Sequence, residues 1–187
     1  MLSDPASCLV DVQAAPIPVV EAFVNLDSVE LGNPVQFSAT SDVDGVTWDW
    51  SFGDGQSSTE QNPTHLYASA GAFTASVTAT GPGGTSNPVE VSVTVSLPIF
   101  RRGDSNGDGS SDISDPIQAL DFLFGSGLIA CESAADFNDD GVVDLADVIG
   151  ALSFVFEGTT VPASPYPDCG NDTTADSLNC TSQVSCP

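Results

Sequence analysis

The chain has 187 residues, enough for one large or two small domains. It carries 26 acidic residues against two arginines and one histidine, with no lysine, for a formal net charge of −24. Nucleic acid and anionic membrane surfaces are excluded as partners, because their phosphates need Lys and Arg; without lysine there is also no Schiff base and no lysine-based phosphate cradle.

Residues 1–18 read as a short arm ending at Pro16 and Pro18. Residues 1–15 have neither the basic start nor the apolar core of a signal peptide. No apolar run reaches the about 18 residues that span a bilayer. The rest of the chain has a secreted character, so the expectation is a removed leader or an excerpt of a longer protein. Within the arm, Leu9-Val10-Asp-Val12 is a brief β-like run that needs a sheet edge, on this chain or on a neighbour. Leu9, Val10 and Val12 are therefore candidate partner-binding residues.

Residues 19–97 follow a β pattern. Val35-Gln-Phe37-Ser-Ala39 alternates, and so does 46–52, which puts Val46, Trp48, Trp50 and Phe52 on one face. The stretches 72–80 and 89–95 alternate as well. Turn signals fall between them at Asp44-Gly45, Gly53-Asp54-Gly55, Asn62-Pro63, Gly81-Pro-Gly-Gly84 and Asn87-Pro88. Strands this short, with turns at this spacing, predict a small antiparallel sandwich. The motifs Trp50-Ser-Phe52-Gly53-Asp54-Gly55, Asn62-Pro63-Thr-His65-Leu-Tyr67 and Gly71-Ala-Phe73 resemble those of a PKD domain, over residues 17–97. The resemblance implies a seven-stranded Ig-like β-sandwich that serves as an extracellular spacer or contact module without catalysis. Trp50 and Phe52 should plug its core, Gly53 and Gly55 should turn the chain behind them, and Asp54 should bond amides within that turn. His65 falls in the strand entry of that family and has no second histidine to join it in a catalytic or metal site.

Residues 98–103 form a short joint that holds both positive charges, Arg101 and Arg102. Two readings stand: the pair latches the two domains together, or it is two solvated charges contributing about 0–1 kcal/mol.

Residues 104–124 and 136–156 are one segment written twice, offset by 32 residues. Each copy opens with a loop carrying oxygen ligands at positions 1, 3, 5, 9 and 12 and glycine at 6. They are Asp104, Asn106, Asp108, Asp112 and Asp115 in the first, and Asp136, Asn138, Asp140, Asp144 and Asp147 in the second. Ser110 and Val142 stand at position 7, where the backbone carbonyl ligates. Converging carboxylates and amides around a sharp turn are what a hard cation needs. One match is weak, but two with the same residue type at every ligand position point to two calcium ions. The cations would offset half the charge of the eight carboxylates.

After each loop comes a helical pattern, Ile117, Leu120, Leu123 and Phe124 matched by Ile149, Leu152, Val155 and Phe156. Pro116 suits a first turn, and Asp115 and Asp147 can both ligate a cation and cap a helix. Each helix is too short and too apolar to stand alone, so the two are expected to pack together. Pro98 and Gly103 leave no room for a helix entering the first loop. Loop plus exiting helix in tandem, with Asp at position 12, resembles a dockerin over residues 103–158. The resemblance implies an F-hand pair, folding coupled to two calcium ions, and docking near loop positions 10 and 11. Those positions are Ile113-Ser114 and Leu145-Ala146, where the family often has Ser or Thr pairs. The departure points away from conventional cohesin capture. The apolar residues either meet another partner surface or pack within this chain.

The tail, 159–187, is Pro-, Asp- and Thr-rich and cannot build its own core. Cys131, Cys169, Cys180 and Cys186 would pin it in an oxidising compartment. Of three possible pairings, Cys131–Cys169 with Cys180–Cys186 is the expected one, and Cys8 is the odd thiol, free, pairing by displacing another cysteine, or bridging to a second chain. The expected architecture is a mainly β N-terminal Ig-like sandwich, a small α dockerin-like calcium domain and a disulfide-pinned coil tail. The expected function is a non-catalytic, secreted or cell-surface calcium-binding protein that mediates protein–protein assembly, with copies of itself in a filament among the partners. The alternative is the anchoring region of a larger secreted hydrolase. Catalysis is not expected, since one histidine and no lysine cannot assemble nucleophile, base and orienter.

Overall fold

In the computed structural model, which describes residues 13–183, 185 and 186, the chain divides into two units between Ser96 and Leu97. Cys8, Leu9, Val10 and Val12 lie outside the described residues.

Alternation builds the first unit. Its strands are β1 (Val20–Val24), β2 (Ser28–Glu30), β3 (Val35–Ser41), β4 (Thr47–Ser51), β5 (Ser57–Ser58), β6 (Thr64–His65), β7 (Gly71–Gly81), β8 (Gly84–Thr85) and β9 (Val89–Ser96). One sheet has the order β1-β3-β6 and the other β2-β9-β7-β4-β5, with β8 added to β7. Val35, Phe37 and Ala39 of β3 face Ala75, Val77 and Ala79 of β7 in one buried cluster. Trp50 and Phe52 fill its centre, with the Phe37 ring 5.3 Å and 5.2 Å from theirs. The segment therefore forms nine strands where seven were expected, because three of them, β5, β6 and β8, are two-residue pieces. Nor is it wholly antiparallel: β2 lies parallel to β9. With only three residues and one buried side chain, Val29, β2 has no alternation to betray its direction. Part of the arm, around Pro16, runs against the β7–β8 turn, where a Cβ on Gly83 would come within 2.2 Å of the Pro16 carbonyl oxygen.

The second unit begins where a joint was expected. Phe100 and Arg102 are fully buried, and Phe100 forms an antiparallel bridge to Gly170 of the tail. The helices are α1 (Ser114–Phe124), α2 (Glu132–Ala135) and α3 (Leu145–Glu157). The single-turn α2, directly before the second loop, was not foreseen. α1 and α3 pack on each other as expected, but only part of the expected stripe turns inward, Leu120, Leu123, Leu152 and Val155 being half-buried. Pro116 and Ala119 meet Val148 and Ala151 around a cavity of only about 10 Å³. Ile117, Phe124, Ile149 and Phe156 point outward, each more than half exposed. The position-12 aspartates explain the rotation: Asp115 and Asp147 must turn inward to their loops, and their helical neighbours follow. Capping also differs from expectation. Asp144 is the N-cap of α3 and Asp147 completes a capping box with it; at α1 the residue in the N-cap place is Ile113, which has no capping side chain, and Asp112 and Asp115 make the equivalent bonds.

The disulfides are Cys131–Cys180 and Cys169–Cys186, not the expected pairs. The tail sets this pairing by returning antiparallel along residues 130–132 and 99–101. The Glu132 amide donates to the Asn179 carbonyl at 2.6 Å and the Thr181 amide to the Ala130 carbonyl at 3.0 Å, which places Cys180 opposite Cys131. Gly170 pairs with Phe100, and the Gln183 amide donates to the Ile99 carbonyl, which brings Cys169 and Cys186 to the same place.

Candidate metal centre

Each loop folds around its first aspartate. Asp104 accepts the Asp108 amide on Oδ1 at 3.0 Å and the Gly109 amide on Oδ2 at 2.9 Å. Asp136 accepts the Asp140 amide at 3.2 Å and the Gly141 amide at 2.9 Å on the same two oxygens. The turn needs glycine at position 6, where φ is +93° at Gly109 and +83° at Gly141.

The remaining bonds repeat as well. The Asn106 and Asn138 side-chain oxygens accept the amides of Asp108 and Asp140. Asp108 and Asp140 accept the amides of the position-7 residues, Ser110 and Val142. Asp115 accepts from Asn106 and Asp112, as Asp147 accepts from Asn138 and Asp144. Asp112 takes the Ser114 amide at 2.8 Å and Asp144 the Ala146 amide at 2.6 Å. Every predicted ligand residue thus takes part in a network drawn twice, 32 residues apart.

The electrostatics are strained in the same sense in both loops. Burial pushes Asp115 up to about 6, and repulsion from Asp104 and Asp108 adds to it, outweighing the Asp112 and Asn106 amides. Burial also raises Asp147, helped by Asp136 and Asp140, and raises Asp136 despite the amides and Arg102 beside it. The exposed Asp112 is held below the usual carboxylate range by the Ser114 amide and hydroxyl. An all-oxygen donor set with crowded carboxylates fits a hard divalent cation, and the four described cysteines, all in disulfides, offer no thiolate. Among the described residues, the carboxylates gathered within 4.8 Å of one another are those of Asp136, Asp139 and Asp176. Of these, only Asp136 was predicted. Among the described residues, the predicted ligands of neither loop gather to that degree on their own.

Arg102 is neither a domain latch nor solvated. Its guanidinium is buried beneath the second loop, donating to the carbonyls of Ser133 (2.8 Å), Asp136 (2.5 Å) and Ser164 (2.8 Å) and to the carboxylates of Asp139 (2.7 Å) and Asp172 (3.2 Å). Arg101 donates to the Gly109 carbonyl of the first loop at 2.5 Å. Tail residues reach both loops: Gln183 and Ser185 bond Asp104, and Thr174 bonds Asp139. Sequence reasoning missed Arg102 as a core residue, together with Asp139, Asp172, Thr174, Asp176, Gln183 and Ser185. The one available signal was the pair Arg101-Arg102 directly after Phe100, in a chain with two arginines and 26 acids.

The partner-binding candidates near the loops stand on the surface. Ile113 is 41% and Leu145 48% exposed, Ala146 is exposed and Ser114 half-buried. Ile113, Ile117 and Phe124 recur as Leu145, Ile149 and Phe156, so each repeat shows the same apolar triplet outward. In the first unit, His65 stacks on Phe52 at 4.0 Å and bonds Asp54 at 2.7 Å, a packing role.

Residues 15–96 match the family model described as the PKD domain. The chain is similar to the PKD1 domain of Vibrio anguillarum Epp, with 28% identity over 44% of this chain and 98% of that one and a TM-score of 0.38. It is similar to the PKD1 domain from the Vibrio cholerae metalloprotease PrtV, with 27% identity over 44% and 100% of the two chains and a TM-score of 0.38. It is also similar to the PKD domain from the human VPS10 domain-containing receptor SorCS2, with 23% identity over 52% and 90% and a TM-score of 0.37. No curated protein matches the chain. The first unit is thus a β-sandwich matching the PKD family, whose members are typically extracellular protein–protein interaction modules. The match ends before the two loops. Two disulfides accord with an extracellular setting. No helix among the described residues is long and apolar enough to cross a membrane.

Proposed function

We propose that this chain is a non-catalytic, secreted calcium-binding protein whose second unit is a dockerin-like docking module holding two calcium ions. The carrying observation is the twofold recurrence of one carboxylate–amide network at the predicted ligands. The ligands are the five side chains of each loop with the carbonyls of Ser110 and Val142, and bound calcium would neutralise carboxylates that burial and mutual repulsion now disfavour as anions. The docking face is the outward triplet after each loop, Ile113, Ile117 and Phe124 with Leu145, Ile149 and Phe156. Its partner is a protein surface with an apolar strip and basic flanks, since a chain of net charge −24 repels its own kind unless cations intervene. A PKD-type sandwich in the same chain supports an interaction role over catalysis.

The test is calorimetric titration of decalcified protein, followed by sedimentation in millimolar calcium. Two ions per chain are expected, and Asp136→Ala should leave one. Ile117→Asp with Ile149→Asp should preserve the ion count and abolish any self-association the wild type shows. A wild type that binds no calcium sinks the reading; one that binds two ions and stays monomeric removes copies of itself from the partners.

A further inference from the structure

The two loops share their internal bonds, but each meets a different stretch of the same tail. At the first loop the tail holds Asp104 twice: Gln183 Nε2 donates to its carbonyl, and Ser185 Oγ donates to its carboxylate at 3.3 Å. Gln183 is buried, and a Cβ on Gly109 would lie 3.2 Å from Ser185 Cβ, so the tail lies directly on the loop's turn. At the second loop, Thr174 Oγ1 donates to Asp139 at 2.8 Å, and Asp172 accepts from Arg102, which also holds the Asp136 carbonyl. A Cβ on Gly141 would lie 3.2 Å from Asp176 Cβ, the same close approach at the same loop position.

The tail has no core to fix it there. What fixes it is its ladder to residues 99–101 and 130–132, together with the two disulfides. Cys169–Cys186 spans both loop contacts, and Cys131–Cys180 anchors the tail between them.

We infer that the disulfide-pinned tail is a clamp that positions the first ligand of each loop and so sets the affinity of both loops for a divalent cation; this rests on the calcium reading proposed above. Gln183, Ser185, Thr174 and Asp172 act here as positioning residues, not ligands. A metal-binding carboxylate left without its outer hydrogen bonds samples orientations that do not coordinate, and losing such a partner typically weakens binding about 10–100-fold. Gln183 and Ser185 serve the first loop. Thr174 and Asp172, acting through Asp139 and Arg102, serve the second.

Calcium is titrated into decalcified, oxidised protein, with the Gly109 and Gly141 amides followed by nuclear magnetic resonance so that each loop is read separately. In Gln183→Ala/Ser185→Ala, the first loop is expected to bind about 10–100-fold more weakly, and the second to weaken less than the first. Gln183→Ala paired with Ser185→Thr, which keeps the hydroxyl, should recover part of the loss. In Cys169→Ser/Cys186→Ser both loops should weaken. Unchanged or tighter binding in Gln183→Ala/Ser185→Ala overturns the clamp, and that variant decides alone if the cysteine variant fails to fold. A wild type that binds no calcium overturns the calcium reading instead, and it does so before any tail substitution is made.

Discussion

A buried guanidinium must find partners for its five donors inside the protein, and Arg102 finds three carbonyls and two carboxylates. The set ties together α2, the second loop and the tail. Removing it would leave Asp136, Asp139 and Asp172 without their cation and three carbonyls without donors. Arg102→Ala should therefore lower the unfolding free energy of the second unit by about 3–5 kcal/mol. Arg101 makes one carbonyl bond with a half-buried side chain, and Arg101→Ala should cost about 1–2 kcal/mol. Denaturant unfolding followed by far-ultraviolet circular dichroism measures both, because the described helices all lie in the second unit. Equal losses would contradict this ranking. The sequence marks both arginines as exceptional among so many acids, but composition cannot say which of two adjacent residues turns inward.

At the scale of elements, the turn after β4 shows how local signals became geometry. Gly53 has φ +84°, and a Cβ there would sit 2.5 Å from the Thr74 carbonyl oxygen, so both backbone conformation and space demand glycine. Asp54 then accepts the Gln56 amide at 2.9 Å and the His65 ring nitrogen at 2.7 Å. Burial pushes its carboxyl up, but the Gln56 amide and His65 outweigh it and the net shift is downward. A carboxyl whose folded pKa lies below its unfolded value stabilises the fold at every pH above the unfolded value. That contribution is lost as pH falls through the folded value. The sandwich should therefore weaken on acidification below about pH 4, the unfolded range of Asp. Asp54→Asn should flatten that limb while lowering stability at neutral pH. Tryptophan emission against pH and denaturant measures it, since Trp48 and Trp50 both belong to β4; an unchanged acid limb would count against the argument. Strand alternation was legible because β3, β4, β7 and β9 each bury one face. The helices were legible in period but not in phase: Ile117 and Ile149 fit a buried stripe by spacing, yet the inward turn of Asp115 and Asp147 rotates both to the surface.

At the scale of the whole molecule, the two units stand on different physics. The first has a continuous aromatic and aliphatic cluster, whereas the second has the small cluster Phe100, Cys131 and Ala134, a few further buried apolar residues such as Phe137 and Val148, and fully buried polar groups, Arg102, Asp104 and Asp136. Chelation of the proposed calcium should therefore abolish helical circular dichroism while leaving tryptophan emission native, because crowded carboxylates oppose folding of the second unit alone. Helix that persists in excess chelator would count against this. The sequence by itself determined the PKD-like sandwich, the aromatic plug and the two repeated loops, each with its aspartates, asparagine and glycine in the same turn. Each of these rests on residues close in the chain, where period, spacing and turn chemistry act. The tertiary structure alone decided the disulfide pairing, the burial of Arg102, the phase of α1 and α3 and the tail's contact with both loops. All four depend on which distant segments become neighbours: the tail returns beside residues 99–101 and 130–132 through backbone bonds that any residue can make, so no side-chain pattern announces it.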